Sequence, residues 1–301
     1  MMFKESSFWF KQQSVKGFPT RLVTSNTDIR CASLVGENSQ AAIKQYLEGD
    51  KSAVTVLHTD RRREAVMIAG ESKYVLKRCL LNGFNKRFRN TFAIARVYGY
   101  PGLYNELINT QQANQILPNT PKVVGYGVSK QNGLVIEEFL LFEFIEDCVP
   151  MEKLFASGQY PTEQLLDVVV DEYLKALSKQ VIHLDLNLTN IMVSEDLTER
   201  WLIDFEYCSF ADLNASSSLG FLLGYFHHYW AHQYIDETSY DDYITKKVED
   251  IEWVDQGVFW PVYNMFKNTS VPKKLRYIGF ANRKSHTDII EAAKEYVLGK
   301  C

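Results

Sequence analysis

Hydrophobic and polar positions alternate in short registers through the first half of the chain, then recur at helical spacing through much of the second. Ala53 to His58, Glu64 to Ala69 and Tyr74 to Cys79 read as strands. Thr59-Asp-Arg-Arg-Arg63 and Gly70-Glu-Ser72 read as the turns between them. Leu103 to Leu117 reads as a helix, with Leu103, Leu107, Ile108 and Ala113 among its apolar positions. Pro118-Asn-Thr-Pro121 breaks it, and Val123 to Val128 and Leu134 to Ile145 supply two further strands. The first lobe is therefore expected to be a five-stranded antiparallel sheet with one helix, over residues 51–145. Residues 146–301 read as mainly helical. Thr162 to Lys179 repeats Leu165, Leu166, Val169, Val170, Tyr173, Leu174 and Leu177, and Ser216 to Tyr234 reads as a buried, aromatic-rich helix. Residues 1–50 are read as an extension packed on the first lobe. Phe3, Phe8, Trp9 and Phe10 are too apolar for a disordered tail, and Gln40 to Leu47 has the length of a short helix. The class is α+β.

One polar loop interrupts the apolar runs of the second lobe. Ile191 to Val193 and Trp201 to Ile203 read as short buried strands, and Ser194 to Arg200 has turn composition, so the two form a hairpin. His183, Asp185 and Asn190 precede the first strand, and Asp204 follows the second. Pairing the strands brings Asp185, Asn190 and Asp204 to one edge as three oxygen donors. Such donors suit Mg²⁺, which binds through a few protein oxygens and completes its shell with substrate phosphates. Phosphoryl transfer needs this set: one carboxylate aligns the attacking hydroxyl, and an amide and a second carboxylate hold metal.

The stretch resembles the catalytic core of protein-kinase-like phosphotransferases, H-x-D-x-x-x-x-N followed by a strand and D-F-G. The matching residues are His183, Asp185, Asn190 and Asp204-Phe205-Glu206. Two positions depart from the protein-kinase pattern. Leu184 stands where Arg precedes the catalytic acid, and Glu206 stands where Gly closes D-F-G. No A-P-E follows, and no G-x-G-x-x-G occurs between Val54 and Ala69. Small-molecule kinases of the same fold are expected to lack the arginine-anchored activation loop. Within that group the chain looks most like the bacterial lipopolysaccharide core kinases, which phosphorylate Kdo or heptose on lipid A precursors. The likeness rests on Lys77-Arg78 with the basic-aromatic segment ending in Arg-Asn-Thr-Phe92, on Lys122-Val-Val-Gly-Tyr-Gly127, and on the pairing of His183–Asn190 with Trp201–Cys208.

The resemblance implies a bilobal protein-kinase-like fold that binds ATP and Mg²⁺ between its lobes. Lys77 would orient the phosphates and Glu106 would hold Lys77. Glu143 and Ile145, at the end of the last strand, would meet adenine through their backbone. Asn190 and Asp204 would hold metal. Asp185, with His183 beside it, would be catalytic. Lys86, Arg87 and Arg89 would meet an acidic saccharide or glycolipid acceptor.

Composition narrows the setting. The chain has 301 residues, 46% hydrophobic and 23% charged, with a formal net charge of −4, so no global charge argues for a nucleic-acid partner. The five cysteines are scattered without C-x-x-C, which fits a reducing cytoplasm. Met1 to Lys16 lacks a signal-peptide core, and no apolar run reaches the length of a membrane span. His227, His228 and His232 are read as a partly buried helix face in preference to a zinc site. Asp236 to Asp255 is acidic. Lys267 to Lys284 is basic, with Phe266, Tyr277 and Phe280, and is the segment expected to touch anionic headgroups at the inner face of the inner membrane. Two rivals remain at this stage: an aminoglycoside- or choline-kinase-like enzyme with acids at its mouth, and a kinase-like nucleotide-binding module without turnover.

Overall fold

A computed structural model describes residues 15, 17–95, 99–211 and 213–299. Phe3, Phe8, Trp9 and Phe10 lie outside the described residues. The chain divides into two units, residues 1–115 with 120–146, and residues 116–119 with 147–301.

The first unit is built on β1 (Thr20–Val23), β2 (Thr27–Cys31), α1 (Glu37–Leu47), β3 (Val54–Thr59), β4 (Arg63–Ala69), β5 (Lys73–Leu80), α2 (Phe84–Thr91), α3 (Leu103–Ala113), β6 (Val123–Gln131) and β7 (Leu134–Glu143). All seven strands join one antiparallel sheet in the order β1-β2-β6-β7-β5-β4-β3. The expected five strands are present, and β1 and β2 extend the sheet at one edge. Their polar-apolar alternation is short and charged, Thr-Arg-Leu-Val and Thr-Asp-Ile-Arg-Cys, so neither segment has an apolar run. Gly127 lets β2 lie close against β6: a Cβ there would stand 2.6 Å from Ile29 Cα and 2.7 Å from the Asp28 carbonyl oxygen.

β7 is buried on both faces, which is why its stretch Phe139 to Phe142 is continuously apolar. Successive strand residues point to opposite sides. Phe139 and Leu141 pack with Ile43 and Tyr46 of α1, while Leu140 and Phe142 pack with Leu103, Tyr104 and Leu107 of α3. A strand covered on both faces loses its alternation and reads as a run.

The second unit contains β8 (Cys148–Pro150), α4 (Met151–Ser157), α5 (Thr162–Ser178), β9 (Ile182–His183), β10 (Ile191–Ser194), β11 (Arg200–Leu202) and β12 (Cys208–Ser209). It continues with α6 (Ala215–Tyr229), α7 (Glu237–Glu249), α8 (Gln256–Asn268), α9 (Lys273–Ala281) and α10 (Arg283–Leu298). The hairpin forms as expected, with Ile191 opposite Leu202 and Met192 opposite Trp201, and β8 adds a third strand. α6 is buried along nearly its whole length. Gly224 brings it against α8, since a Cβ there would meet the Tyr263 carbonyl oxygen at 2.4 Å. Among the described residues, no helix is long and apolar enough to cross a membrane.

Candidate active site

The residues expected to act on phosphate fall into two groups, one in each unit. In the first unit, Lys77 on β5 reaches Glu106 on α3, with Nζ to Oε1 at 2.5 Å. Glu106 is 1% exposed and the Lys77 side chain 23%, so the carboxylate is the buried partner and the ammonium the accessible one. The Lys77 ammonium also sits 5.4 Å from the centre of the Phe142 ring. A buried carboxylate of this kind needs a charged partner, which fixes the lysine.

The start of the helix that carries Glu106 is held by a residue that pattern reading did not single out. Glu138 on β7 is fully buried, accepts the Leu103 N–H at 2.8 Å and accepts the Tyr126 hydroxyl at 2.5 Å. It thus meets the first backbone N–H of α3, where a carboxylate is favoured by the helix dipole. Gly102 before it has φ +78°, and a Cβ there would lie 1.8 Å from a Glu138 oxygen. Glu106 follows Leu103 within the same turn. A glutamate inside a strand read as apolar gave no sequence signal beyond its place between Glu137 and Phe139.

Glu143 closes β7. Its N–H donates to the Lys122 carbonyl at 3.0 Å, and the Phe144 N–H donates to the Lys73 carbonyl at 3.1 Å. The Glu143 N–H, one of the backbone groups expected to meet adenine, is thus engaged within the protein. Ile145 follows beyond the strand end. Lys86, Arg87 and Arg89 sit on α2.

In the second unit the loop between β9 and β10 is fixed from several sides. His183 is buried, and burial lowers its pKa below the ordinary imidazole value. Its Nδ1 lies 3.4 Å from the Asp185 N–H, and its Nε2 lies 3.0 Å from the Ile203 carbonyl. The neutral tautomer that satisfies both carries its proton on Nε2 and donates it to Ile203. His183 thus joins the loop of Asp185 to the residue before Asp204. His183, expected among the catalytic residues, has both ring nitrogens engaged by the protein backbone.

Asn190 performs a second tie. Its amide nitrogen donates to the Asp185 carbonyl at 2.9 Å, and its own carbonyl accepts the Ile203 N–H at 3.0 Å. The amide oxygen is then the atom with metal-ligating chemistry. Asp204 follows Ile203 with φ +63°, in the left-handed region that aspartate visits more readily than most residues. Backbone strain at a lone polar residue beside a tied loop is a feature of functional sites. Asn190 and Asp204 are oxygen donors, and that donor set fits Mg²⁺ with phosphate oxygens completing the shell.

Asp185 is held by residues far along the chain. Lys273, the first residue of α9, places Nζ 2.5 Å from Asp185 Oδ2. The Tyr225 hydroxyl on α6 donates to Oδ1 at 3.3 Å. Burial and the Asp185 charge push the Tyr225 phenol up to about 12, so it stays a donor. Arg276 is 6% exposed, donates to the Leu184 carbonyl at 2.9 Å, and lies 3.9 Å from Asp185 Oδ1. Its guanidinium stands 4.2 Å from the centre of the Tyr225 ring, and the Lys273 ammonium 4.0 Å from that of Tyr207. Aromatic faces of this kind favour cations electrostatically.

This placement corrects the reading of Lys267 to Lys284 as a lipid-facing surface. Lys267 is buried and paired with Glu237 at 2.7 Å and Asp241 at 2.6 Å. Phe266 and Phe280 are core residues. Lys273 and Arg276 face the Asp185 loop. The same pairs engage two of the acids expected to serve a cationic substrate, and Asp241 also accepts the Tyr263 hydroxyl at 2.6 Å. His228 and His232 each place Nδ1 3.0 Å from a backbone carbonyl, of Lys267 and His227 respectively.

Residues 48–216, more than half of the chain, match the model of the Lipopolysaccharide kinase (Kdo/WaaP) family. No curated protein matches the chain in sequence. Among solved structures, the chain is similar to WaaP in complex with acyl carrier protein at 12% identity, with 80% of this chain and 88% of that chain covered and a TM-score of 0.36. It is also similar to WbdD co-crystallised with the kinase inhibitor LY294002, at 15% identity, with 80% of this chain and 45% of that chain covered and a TM-score of 0.37. Neither likeness assigns a role to a residue.

Proposed function

Because the chain belongs to the lipopolysaccharide kinase (Kdo/WaaP) family, we propose that it transfers the γ-phosphoryl group of ATP to a hydroxyl of Kdo or heptose in the lipopolysaccharide core. The observation that carries this reading is the Asp185 carboxylate, held by Lys273 and Tyr225 at the end of a loop that His183 and Asn190 tie to Ile203. In this account Asp185 aligns the acceptor hydroxyl and takes its proton as the phosphorus–oxygen bond forms. The bond from the γ-phosphorus to the β–γ bridging oxygen breaks, and ADP leaves. Lys77, held by Glu106, steadies the donor phosphates. Asn190 and Asp204 would hold Mg²⁺, which when bound neutralises phosphate charge. Lys273 and Arg276 bring two positive charges to the loop that would receive the transferring group. Most of the rate enhancement then comes from positioning and fixed charge.

The acids engaged by Lys267 are part of why an anionic sugar is preferred to a cationic acceptor. The test is transfer of labelled γ-phosphate to purified core oligosaccharide, with an aminoglycoside as the competing acceptor and with Mg²⁺ chelated in a parallel reaction. Metal-dependent labelling of the oligosaccharide alone is expected. Labelling of the aminoglycoside alone would move the protein to the other substrate class. No labelling of either would contradict the reading.

A further inference from the structure

α2 presents its aromatic side chains outward. Phe84, Phe88 and Phe92 follow one another at four-residue spacing, which stacks them along one helix face. Their ring centres are 5.9 Å and 4.7 Å apart. Phe84 is 70% exposed, and Phe88, Phe92 and the neighbouring Leu80 and Ile94 are exposed as well. The helix is nevertheless firmly seated. Asn90 is buried and donates to the Pro101 carbonyl at 2.9 Å, Thr91 accepts the Val135 N–H at 2.9 Å, and Ala93 is buried. The rings are therefore displayed by an anchored element. A contiguous apolar patch of this kind marks an interaction surface.

Charge identifies the partner. Between Glu71 and Glu106 the sequence holds seven Lys and Arg residues and no acid, in a chain whose net charge is −4. Three of those cations are on α2. Lys86 is exposed, and Arg87 and Arg89 are half-exposed. The Arg87 Nε donates to the Leu81 carbonyl at 2.9 Å and an Arg89 guanidinium nitrogen to the Ile94 carbonyl at 3.2 Å, which keeps both near the aromatic face. A protein partner would have to supply acids and an apolar pocket together. An anionic bilayer offers both chemistries over a flat area: acyl chains for the rings and phosphates for the cations.

We propose that the face formed by Phe84, Phe88 and Phe92 with Lys86, Arg87 and Arg89 docks the protein on an anionic lipid surface. The three cations then meet lipid phosphate in place of the acceptor saccharide. The proposal does not depend on which sugar is phosphorylated.

Flotation of the full chain with vesicles of phosphatidylethanolamine and phosphatidylglycerol, against vesicles of phosphatidylcholine alone, tests it. The wild type is expected to float with the anionic vesicles only. The double variant Phe84→Ser, Phe88→Ser is expected to lower the bound fraction about tenfold, and Lys86→Glu alone several-fold. The single variant Phe84→Ser, at the most exposed ring, guards against misfolding of the double variant and is expected to move in the same direction. Its phosphorylation of delipidated core oligosaccharide should match wild type, so a failure of the catalytic reading leaves the flotation result standing by itself. Equal flotation of wild type and both phenylalanine variants would overturn the proposal, as would no flotation of the wild type. A dimer that Phe84→Ser dissolves, without vesicle binding, would assign the face to a second copy of the chain and overturn it too.

Discussion

Two segments of this chain look alike in sequence and do opposite things in the structure. Phe84 to Phe92 and Phe266 to Phe280 both mix phenylalanine with lysine and arginine. In the first, the rings are exposed, and Lys86, Arg87 and Arg89 share their helix. In the second, Phe266 and Phe280 are in the core, and Lys273 and Arg276 turn toward Asp185. The difference lies in what each helix packs on. α9 lies between α10 and the β12 edge beside the catalytic loop, where Phe280 meets Phe221 at 4.4 Å and Phe266 at 5.9 Å between ring centres. Among the described residues α2 packs on β7, and Phe84, Phe88 and Phe92 stay exposed. A basic-aromatic composition therefore specifies a surface only when the helix has one packed face.

The comparison is open to breaking at several points. The largest expected effect is on stability. Phe280→Ala should cost about 3–5 kcal/mol of unfolding free energy, because it empties a fully enclosed aromatic site. Phe84→Ala should change stability by no more than about 0.5 kcal/mol, as an exposed substitution does. Urea unfolding of both variants reads the contrast, and similar losses would mean that the two segments are packed alike. A smaller effect separates the cations. Lys273→Ala should lower kcat by about 10–100-fold, since it removes a fixed charge and a fixed orientation at Asp185. Lys273→Arg should recover part of the loss, and Lys86→Ala should leave kcat on a soluble acceptor unchanged. Equal kcat in Lys273→Ala and wild type would remove Lys273 from the site.

The same contrast explains what could be read in the chain beforehand. Lys77 and Glu106 are 29 residues apart and lie on a strand and a helix that each announce themselves by periodicity, so their pairing was legible. His183, Asp185, Asn190 and Asp204 were legible because a hairpin places them together within a short stretch. Lys273 is 88 residues from Asp185, and nothing in its own neighbourhood distinguishes it from a solvated lysine. Glu138 was hidden for a different reason: beside Glu137 in a strand buried on both faces, nothing local tells which of the two glutamates meets the Leu103 N–H. β1 and β2 escaped because both carry few apolar residues, and β2 is held in the sheet by β6, about a hundred residues away in sequence; Thr27 and Ser129, for example, are 102 apart. Local pattern thus gave the elements and the central loop. Long-range contacts gave the residues that orient them.

The central claim is that Asp185 is the group at which the acceptor hydroxyl gives up its proton. Single-turnover transfer of γ-phosphate to core oligosaccharide, measured for wild type and Asp185→Asn with Mg²⁺-dependent ATP binding followed in parallel, tests it most directly. The account predicts a fall of about 10³-fold in the transfer rate with ATP affinity retained. A variant that transfers phosphate as fast as wild type would contradict it.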